Sequence, residues 1–323
     1  MKKIRWGIIG CGKVTEVKSG PAFQKTRGSE LVAVMRRDGG LARDYAARHN
    51  VPAWYDDADA LIHDPDVDAV YVATPPSSHR EYTLAAARAG KPVYVEKPMA
   101  RNHAECLEMI EACERSRVPL FVAYYRRALP RFLKVKSLVE GGEIGEVRGV
   151  NVRLYHKPSP DDQQGVKHWR VDPAIAGGGY FVDLGSHIID LLQYVLGPIT
   201  TAKGYAANQC GLYEVEDIVG AIFTFDSGVQ GTGLWSFGAE DNLDQTEIIG
   251  SRGSITYSNF MNLPVVLRKR GRTEEFHISN PENIQQSLIQ TVVDELLGTG
   301  RCPSTGRSGA MTSWVMDQIL GKP

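Results

Sequence analysis

The stretch Val93-Tyr94-Val95-Glu96-Lys97-Pro98 decides the fold that we predict for this chain. Its β-branched and aromatic residues follow the turn signal Gly90-Lys91-Pro92, a pattern typical of a buried strand in a parallel sheet. In open sheets of this class, ligands collect just outside the carboxyl ends of the strands. Lys97 therefore lies at a strand end where catalytic residues are usually found, and Pro98 restricts the backbone next to it.

Short apolar segments alternate with helical patterns on both sides of this strand. The apolar segments have the length and composition of buried strands, and the patterns between them have helical spacing. This alternation predicts an α/β fold, with a doubly wound parallel sheet in a Rossmann domain over residues 1–123. Further strands are predicted at residues 4–9, 31–35, 69–73 and 120–123, and helices at 41–49, 81–89 and 103–115.

The first strand ends in a glycine-rich turn. A strand, a Gly-x-Gly pair and a helix form the context of a dinucleotide fingerprint, in which the first glycine makes the turn. The second glycine lets a pyrophosphate approach backbone N–H groups at the helix end. Thr15 stands where a third small residue is usual, so helix and strand must pack around a branched side chain. The predicted cofactor contacts in this turn are Gly10, Gly12, Lys13 and Val14.

The end of the second strand bears on the choice of nicotinamide cofactor. An acidic residue there would accept hydrogen bonds from the ribose hydroxyls of NAD. This chain has Arg36 and Arg37 instead, and guanidinium groups bind a 2′-phosphate in bidentate fashion. We therefore expect NADP as the preferred cofactor and NAD as the alternative. An exposed loop with ordinary charges is the other explanation of the two arginines.

After residue 123 the alternation ends. A helix at 130–140 is followed by a series of extended segments, several joined by hairpin-like turns such as Asp226-Ser227-Gly228. This pattern predicts an α+β domain over residues 124–323 with a large open, mainly antiparallel sheet. A polar loop is expected at 158–165. Strands are predicted at residues 147–155, 202–209, 218–225, 229–237, 246–249, 255–257, 265–268 and 274–278.

A helix in this second domain has an unusual composition. Three glycines at 177–179 open it, and Gly197-Pro198 ends it. Asp183, His187 and Asp190 follow at i, i+4 and i+7, so they share a face that is distinct from the apolar stripe. Glycines lower helix stability and imply close approach by another group. The alternative is an ordinary surface pair of Asp and His, but the poor helix propensity favours a function.

Composition excludes several classes of protein. The 323 residues contain 37 Lys plus Arg and 38 Asp plus Glu, so charge indicates neither nucleic acid nor an anionic membrane as a partner. No apolar segment reaches 18 residues, so no membrane span is expected. The five cysteines are scattered without a C-x-x-C pair, which favours a reducing compartment over disulfides or a zinc site. We expect a cytoplasmic protein with no metal.

Four motifs together resemble one family. Gly10-x-Gly12, Thr74-Pro75 followed by His79, Glu96-Lys97-Pro98, and the glycine run leading into Asp183-Leu184-Gly185-x-His187 resemble the glucose–fructose oxidoreductase and inositol dehydrogenase family. The resemblance covers nearly the whole chain. The Glu-Lys-Pro triplet and the Asp-x-x-x-His helix are specific when they occur together.

The resemblance implies hydride transfer between NAD(P) and a hydroxyl or carbonyl carbon of a sugar, inositol or similar polyol. Lys97 would hydrogen-bond the reacting oxygen, His187 would take or give its proton, and Asp183 would help to hold the substrate. This assignment agrees with the chemistry, since His titrates near neutrality and a cation stabilises alkoxide character.

The same resemblance implies further contacts and an oligomer. The open sheet of the second domain would make a homodimer or homotetramer. Tyr125 stands where an asparagine is common in the family, so its contact is the weakest of these expectations. The implied cofactor contacts are Thr74, Pro75, His79, Glu96 and Arg126, and the implied substrate contacts are Tyr125, Trp169 and Arg170 beside Lys97, Asp183 and His187.

Two other functions use the same fold. One is a ligand-sensing regulator that binds NAD(P) without turnover, and the other is a hydrolase that uses tightly held NAD⁺ in glycoside cleavage. A sensor need not keep Lys97, Asp183 and His187, so their presence favours an oxidoreductase. A steady-state absorbance change at 340 nm with free cofactor would separate the oxidoreductase from both alternatives.

Overall fold

The structure of the protein is a computed structural model that describes residues 3–322. It divides into two compact units. The first contains the residues up to Leu129 together with Pro281–Ala310, and the second contains Pro130–Asn280 and the residues from Met311 onward.

The predicted domains are contiguous, whereas the observed units are not. A segment near the C-terminal end of the chain, Pro281–Ala310, belongs to the first unit. The predicted limits, 1–123 and 124–323, also include residues 1–2 and 323, which lie outside the described residues. The boundary near residue 124 differs by a few residues from the observed one at Leu129.

The predicted helices at 41–49, 81–89, 103–115 and 130–140 all have counterparts in the structure, the last two with the predicted limits. The helices at 58–63, 160–163, 173–176, 286–296 and 306–320 are not predicted. A turn of π geometry, Thr15–Ser19, leads into the first helix, and another, Phe181–Gly185, leads into the ninth. The α-helices are α1 Gly20–Lys25, α2 Gly39–His49, α3 Ala58–His63, α4 His79–Arg88, α5 His103–Arg115, α6 Pro130–Glu140, α7 Pro160–Gln163, α8 Pro173–Ala176, α9 Ser186–Leu196, α10 Gln286–Leu296 and α11 Gly306–Leu320.

The strands form two sheets. Those of the first unit are β1 Ile4–Ile9, β2 Ser29–Met35, β3 Ala53–Tyr55, β4 Ala69–Val72, β5 Val93–Val95 and β6 Leu120–Val122. Those of the second unit are β7 Val147–Tyr155, β8 Ile199–Ala207, β9 Ile218–Phe225, β10 Gln230–Ser236, β11 Leu243–Gly250, β12 Gly253–Tyr257, β13 Val265–Lys269 and β14 Arg272–Phe276.

The sheet of the first unit has the order β3-β2-β1-β4-β5-β6, and all its strands are parallel. The predicted doubly wound Rossmann sheet is therefore confirmed. The strand β3 is not predicted; it has only three residues, and none of them is fully buried. The strand order reverses between β1 and β4, and ligands of such sheets bind at this switch point.

Side chains of β4 and β5 alternate between two layers. Val72 and Val95 join the apolar core on one face of the sheet. On the other face, Tyr71 stacks on Tyr94 with ring centroids 5.0 Å apart, and Phe23 packs 5.2 Å from Tyr71. Both layers are buried, which explains the continuous apolar composition of these strands.

The sheet of the second unit has the order β14-β13-β12-β11-β7-β10-β9-β8. Its neighbours are antiparallel except for the β7–β10 pair, which is parallel, so the predicted open and mainly antiparallel sheet is confirmed. Burial alternates along β9 and β10, so one face packs on the core and the other lies open.

The polar loop expected at 158–165 contains a helix. Ser159 and Asp162 form a capping box at the start of α7, in which the Ser159 hydroxyl accepts from the Asp162 N–H and the Asp162 carboxylate accepts from the Ser159 N–H. Asp162 also accepts from the Tyr180 hydroxyl at 2.9 Å. These bonds hold the loop in place, which its composition alone does not indicate.

Candidate active site

The glycine turn after β1 has the geometry of a nucleotide loop. Gly10 has φ +91°, and a Cβ there would lie 3.0 Å from the backbone nitrogen of Thr74. Glycine is the residue that adopts this conformation without strain. A methyl group added at Gly12 would have the Gly10 carbonyl oxygen as its nearest neighbour, at 3.8 Å, so space lies open beside the backbone. The residues present therefore fit a pyrophosphate approaching this turn.

Thr15 is accommodated by its own hydrogen bond. The side chain is fully buried, and its hydroxyl donates to the Gly12 carbonyl at 2.8 Å. The Thr15 carbonyl accepts from the Tyr45 hydroxyl at 3.0 Å. In the same turn, Lys13 is exposed and Val14 is half-buried. The departure from a third small residue thus adds a bond that holds the turn.

The end of β2 is cationic at the surface. Arg36 and Arg37 are both exposed, and Arg36 Nη1 lies 3.5 Å from the Cys11 carbonyl of the glycine turn. The adjacent acid, Asp38, accepts from the Leu41 N–H at 3.1 Å and caps α2. Both arginines therefore follow the end of the strand where the adenosine ribose binds in Rossmann domains.

The residues after β4 are tied to the turn that carries Lys97. His79 is fully buried, and its Nε2 lies 2.7 Å from the Thr74 carbonyl oxygen. Its Nδ1 lies 3.1 Å from the Pro98 carbonyl oxygen. Burial lowers the pKa of His79 below its ordinary value. The geometry makes His79 a link between two turns, while Thr74 is half-buried and Pro75 is exposed.

Lys97 follows β5 and is half-buried. Its backbone N–H donates to the Glu96 carboxylate at 3.1 Å, and the Lys97–Pro98 peptide bond is cis. Glu96 itself is buried and accepts from the Tyr71 hydroxyl at 2.6 Å. It also accepts from Gln285 Nε2 at 2.7 Å. Sequence reasoning missed Gln285, because nothing in the local pattern links a residue before α10 to β5.

Tyr125, which follows β6, lies among positively charged side chains. Tyr125 and Arg126 are both buried, with the guanidinium carbon of Arg126 5.0 Å from the ring centroid of Tyr125. Burial would raise the pKa of Tyr125, but the charges of Arg126, Lys18 and Lys97 outweigh it and hold this pKa below its ordinary value of 10.0. The Tyr125 hydroxyl therefore faces a field that favours negative charge.

In the second unit, the π turn before α9 carries Asp183. The Asp183 carboxylate accepts from Arg170 Nε at 3.1 Å, and Arg170 in turn stacks on Trp169 with its guanidinium carbon 4.4 Å from the ring. His187 is buried, with 4% of its surface exposed, and packs edge to face on Phe260 with ring centroids 6.0 Å apart. The structure thus joins Trp169, Arg170 and Asp183 in one chain of contacts.

Asp190 does not join this group. It is buried, and its carboxylate accepts from the Thr312 hydroxyl at 3.3 Å. Because Thr312 lies in α11, this contact anchors α9 to a helix from the end of the chain. Phe260, which sequence reasoning missed, lies in the turn after β12; Asp244 accepts from its N–H at 2.5 Å.

Gly178 and Gly179, which precede α9, are approached by the protein itself. The Gly179 N–H donates to Glu216 Oε1 at 2.8 Å, and a Cβ on Gly179 would lie 2.7 Å from the Glu216 carbonyl oxygen. The close approach that the glycines predict is therefore made by the segment around Glu216, which belongs to the same unit.

Metal-ligating clusters and membrane spans are both absent from the described part of the chain. Between residues 3 and 322, no group of three or more His, Cys, Asp or Glu side chains is placed to hold a metal ion. Over the same range, no helix has both the length and the apolar character required to cross a membrane.

Comparison with known proteins decides the family. Residues 4–124 match the oxidoreductase family with an NAD-binding Rossmann fold, and residues 132–256 match the GFO/IDH/MocA C-terminal domain. Oxidoreductase P35 from Formosa agariphila is 41% identical over 320 residues, which are 99% of each chain. The chain belongs to the GFO/IDH/MocA family of oxidoreductases.

Other GFO/IDH/MocA relatives agree. The 1,5-anhydro-D-fructose reductase of Ensifer adhaerens is 30% identical over 311 residues, covering 94% of this chain and 92% of the relative. The solved aldose-aldose oxidoreductase from Caulobacter crescentus, complexed with glycerol, superposes with a TM-score of 0.86 at 27% identity, covering 98% of this chain and 96% of that one. The resemblance inferred from the four motifs is confirmed, as are the oxidoreductase class and the nicotinamide cofactor.

Proposed function

We propose that this oxidoreductase transfers a hydride between NADP(H) and a hydroxyl or carbonyl carbon of a sugar, inositol or similar polyol. The observation that carries the proposal is the position of Lys97 at the carboxyl end of β5. Only β4 separates β5 from β1, which ends in the glycine turn. The cofactor, when bound, supplies the hydride acceptor or donor.

The proposed roles follow from charge and geometry. Lys97 hydrogen-bonds the reacting oxygen, because a cation there stabilises alkoxide character. His187 takes or gives the proton of that oxygen. Asp183, oriented by Arg170, accepts hydrogen bonds from substrate hydroxyls. Glu96, whose carboxylate is occupied by three donors, positions the backbone.

The remaining assignments concern binding. We propose that Gly10, Gly12, Lys13 and Val14 hold the pyrophosphate and that Thr74, Pro75 and Arg126 contact the cofactor, with His79 holding the turns behind them. Tyr125, Trp169 and Arg170 complete the substrate contacts. A polyol suits a site with a carboxylate, a guanidinium and an aromatic ring, and the anhydro-sugar named for one relative supports this class.

Lys97→Met tests the catalytic proposal. The variant keeps the aliphatic stem and loses the charge, so NADPH should still bind while turnover of sugars and inositols falls by about 10²–10⁴-fold. Turnover is followed at 340 nm with free cofactor. Lys25→Met, an exposed lysine in α1, is the matched control. A Lys97→Met enzyme with near-normal kcat would contradict the proposed role.

Arg36→Asp tests the cofactor preference. Arg36 and Arg37 offer a 2′-phosphate charge-assisted hydrogen bonds, which contribute about 1.5–3 kcal/mol each before solvent screening. We expect kcat/KM to favour NADP(H) by at least about tenfold, with Arg36 the larger contributor, and Arg36→Asp to reverse the preference by adding repulsion. The exposed Arg43 on α2 gives the control variant Arg43→Asp. Equal values for NAD and NADP in the natural protein would contradict the assignment.

The open face of the second sheet is proposed as the surface of a homodimer or homotetramer. Tyr205, Ile222 and Leu234 project from the adjacent strands β8, β9 and β10 with 81%, 63% and 37% of their surface exposed. Large apolar side chains grouped on a surface mark association sites. Ile222→Glu should shift the mass measured by light scattering toward the monomer. Monomeric natural protein at micromolar concentration would refute this assignment.

A further inference from the structure

We infer that Tyr71 and Gln285 are positioning residues for Lys97, which they reach through the carboxylate of Glu96. The inference rests on the proposed role of Lys97 in hydride transfer. Gln285 is the less expected member, since it lies in the segment Pro281–Ala310 that returns to the first unit from near the end of the chain.

The two oxygens of Glu96 have different partners. Oε1 accepts from the Tyr71 hydroxyl at 2.6 Å and from Gln285 Nε2 at 2.7 Å. Oε2 accepts from the backbone N–H of Lys97 at 3.1 Å. The carboxylate therefore connects two fully buried side chains with the backbone of the residue that carries the proposed function.

The donors are themselves held in place. The Tyr94 hydroxyl donates to Gln285 Oε1 at 3.3 Å, which fixes the orientation of the amide so that its nitrogen faces Glu96. Tyr71 stacks on Tyr94 with ring centroids 5.0 Å apart. Gln285 directly precedes α10, which packs on α1 and on the turn Tyr125–Ala128. Helix α1, which follows the glycine turn, and the turn that begins at Tyr125 thus both constrain the helix that Gln285 precedes.

A network that served only to stabilise the fold would not need a buried carboxylate such as that of Glu96. A buried carboxylate is unfavourable unless its oxygens are hydrogen-bonded, and apolar side chains would fill the same space without that requirement. Here the carboxylate has three donors, one of which is the Lys97 N–H. Small displacements of a functional group lower turnover strongly, so holding this backbone has a direct use in catalysis.

The test is a double-mutant cycle with Lys97. Gln285→Leu removes the amide while keeping similar volume, and Tyr71→Phe removes one hydroxyl while keeping the ring stack. We expect each to lower kcat about tenfold, with the NADPH Kd and the substrate KM unchanged. In a Lys97→Met background the same changes should lower kcat no further, because the group that they position is absent. Gln286→Leu, a half-buried neighbour on α10, is the control.

Each outcome decides one point. If Gln285→Leu lowers kcat equally in both backgrounds, the network supports the fold only and the inference is overturned. The inference is also overturned if Gln285→Leu and Tyr71→Phe leave kcat unchanged in the protein that retains Lys97. If Lys97→Met alone keeps near-normal kcat, the proposed function fails instead. Should Gln285→Leu not fold, as judged by thermal unfolding, Tyr71→Phe alone completes the cycle.

Discussion

Candidate functional residues lie at the starts of two helical segments, the one that leads into α1 and the one that leads into α9, and the glycines that precede these segments serve different ends. Beside Gly12 a Cβ would meet nothing closer than the Gly10 carbonyl oxygen at 3.8 Å. Beside Gly179 it would lie 2.7 Å from the Glu216 carbonyl oxygen. The first glycine leaves room for a ligand, whereas the second leaves room for the protein's own backbone. Glycines in a sequence therefore indicate that some group comes close to the backbone, but they do not show whether that group is a ligand or another part of the protein.

The starts of the two helices share a second feature. Each begins with a turn of π geometry, and in each a hydroxyl satisfies a carbonyl of that turn. The Tyr45 hydroxyl donates to the Thr15 carbonyl at 3.0 Å, and the Ser186 hydroxyl donates to the Asp183 carbonyl at 3.0 Å. Wide turns of this kind are frequent at functional sites. The two helix starts thus share a wide turn in which a side-chain hydroxyl donates to a backbone carbonyl.

Gly179→Ala should have the largest effect on the folded state. The added methyl group would press on the Glu216 backbone, and overpacking of this kind costs about 1–3 kcal/mol. We expect the free energy of unfolding to fall by about 2 kcal/mol and Tm by several degrees, with the NADPH Kd unchanged. Gly220→Ala is the control, because its nearest contact would be Leu234 Cδ1 at 3.9 Å. Equal stability of the two variants would show that the Glu216 backbone does not require a glycine at position 179.

Gly12→Ala should show the opposite behaviour. The methyl group meets no protein atom closer than 3.8 Å, so Tm of the cofactor-free protein should change little. It would occupy the space beside the turn, and we expect the NADPH Kd to rise at least about tenfold, or about 1.4 kcal/mol. Titration of NADPH fluorescence measures this. An unchanged NADPH Kd together with a lower Tm would show that Gly12, like Gly179, is required for packing of the protein itself.

Thr15→Val should have a smaller effect, confined to stability. The change keeps the branched shape and removes the hydroxyl that donates to the Gly12 carbonyl at 2.8 Å. One buried hydrogen bond contributes about 1 kcal/mol, so urea unfolding should detect a loss of that order. Thr15→Ser, which keeps the hydroxyl, is the comparison variant. A stability loss in the serine variant alone would assign the role of Thr15 to its methyl group.

Glu16→Gln should have the smallest effect, and that effect depends on pH. Hydrogen bonds from Arg48 and then His49 lower the pKa of Glu16 from its ordinary 4.5 to about 2. Because the pKa is lower in the folded state, the stabilisation is present above about pH 4.5 and is lost as the pH falls toward 2. We expect Gln to lower the free energy of unfolding by less than about 1 kcal/mol at pH 7. A difference from the natural protein that persists at pH 2 would contradict this origin.

Much of the fold could be predicted from local patterns. The limits of α5, α6, β7 and β9 agree with the predicted ones, and the glycine turn, Lys97, Asp183 and His187 lie on the predicted elements. These features depend on spacing within a few residues, where apolar periodicity and turn residues report burial directly. Family membership followed from the same short motifs.

The tertiary structure alone decided which distant residues meet. Nothing in the sequence shows that Pro281–Ala310 returns to the first unit and brings Gln285 to Glu96. Likewise, only the fold reveals that Glu216 covers Gly179 and that Asp190 bonds to Thr312 in α11. The physical reason is that local propensity reports which face of an element is buried. The partner on that face is chosen by packing between segments that are remote in the chain.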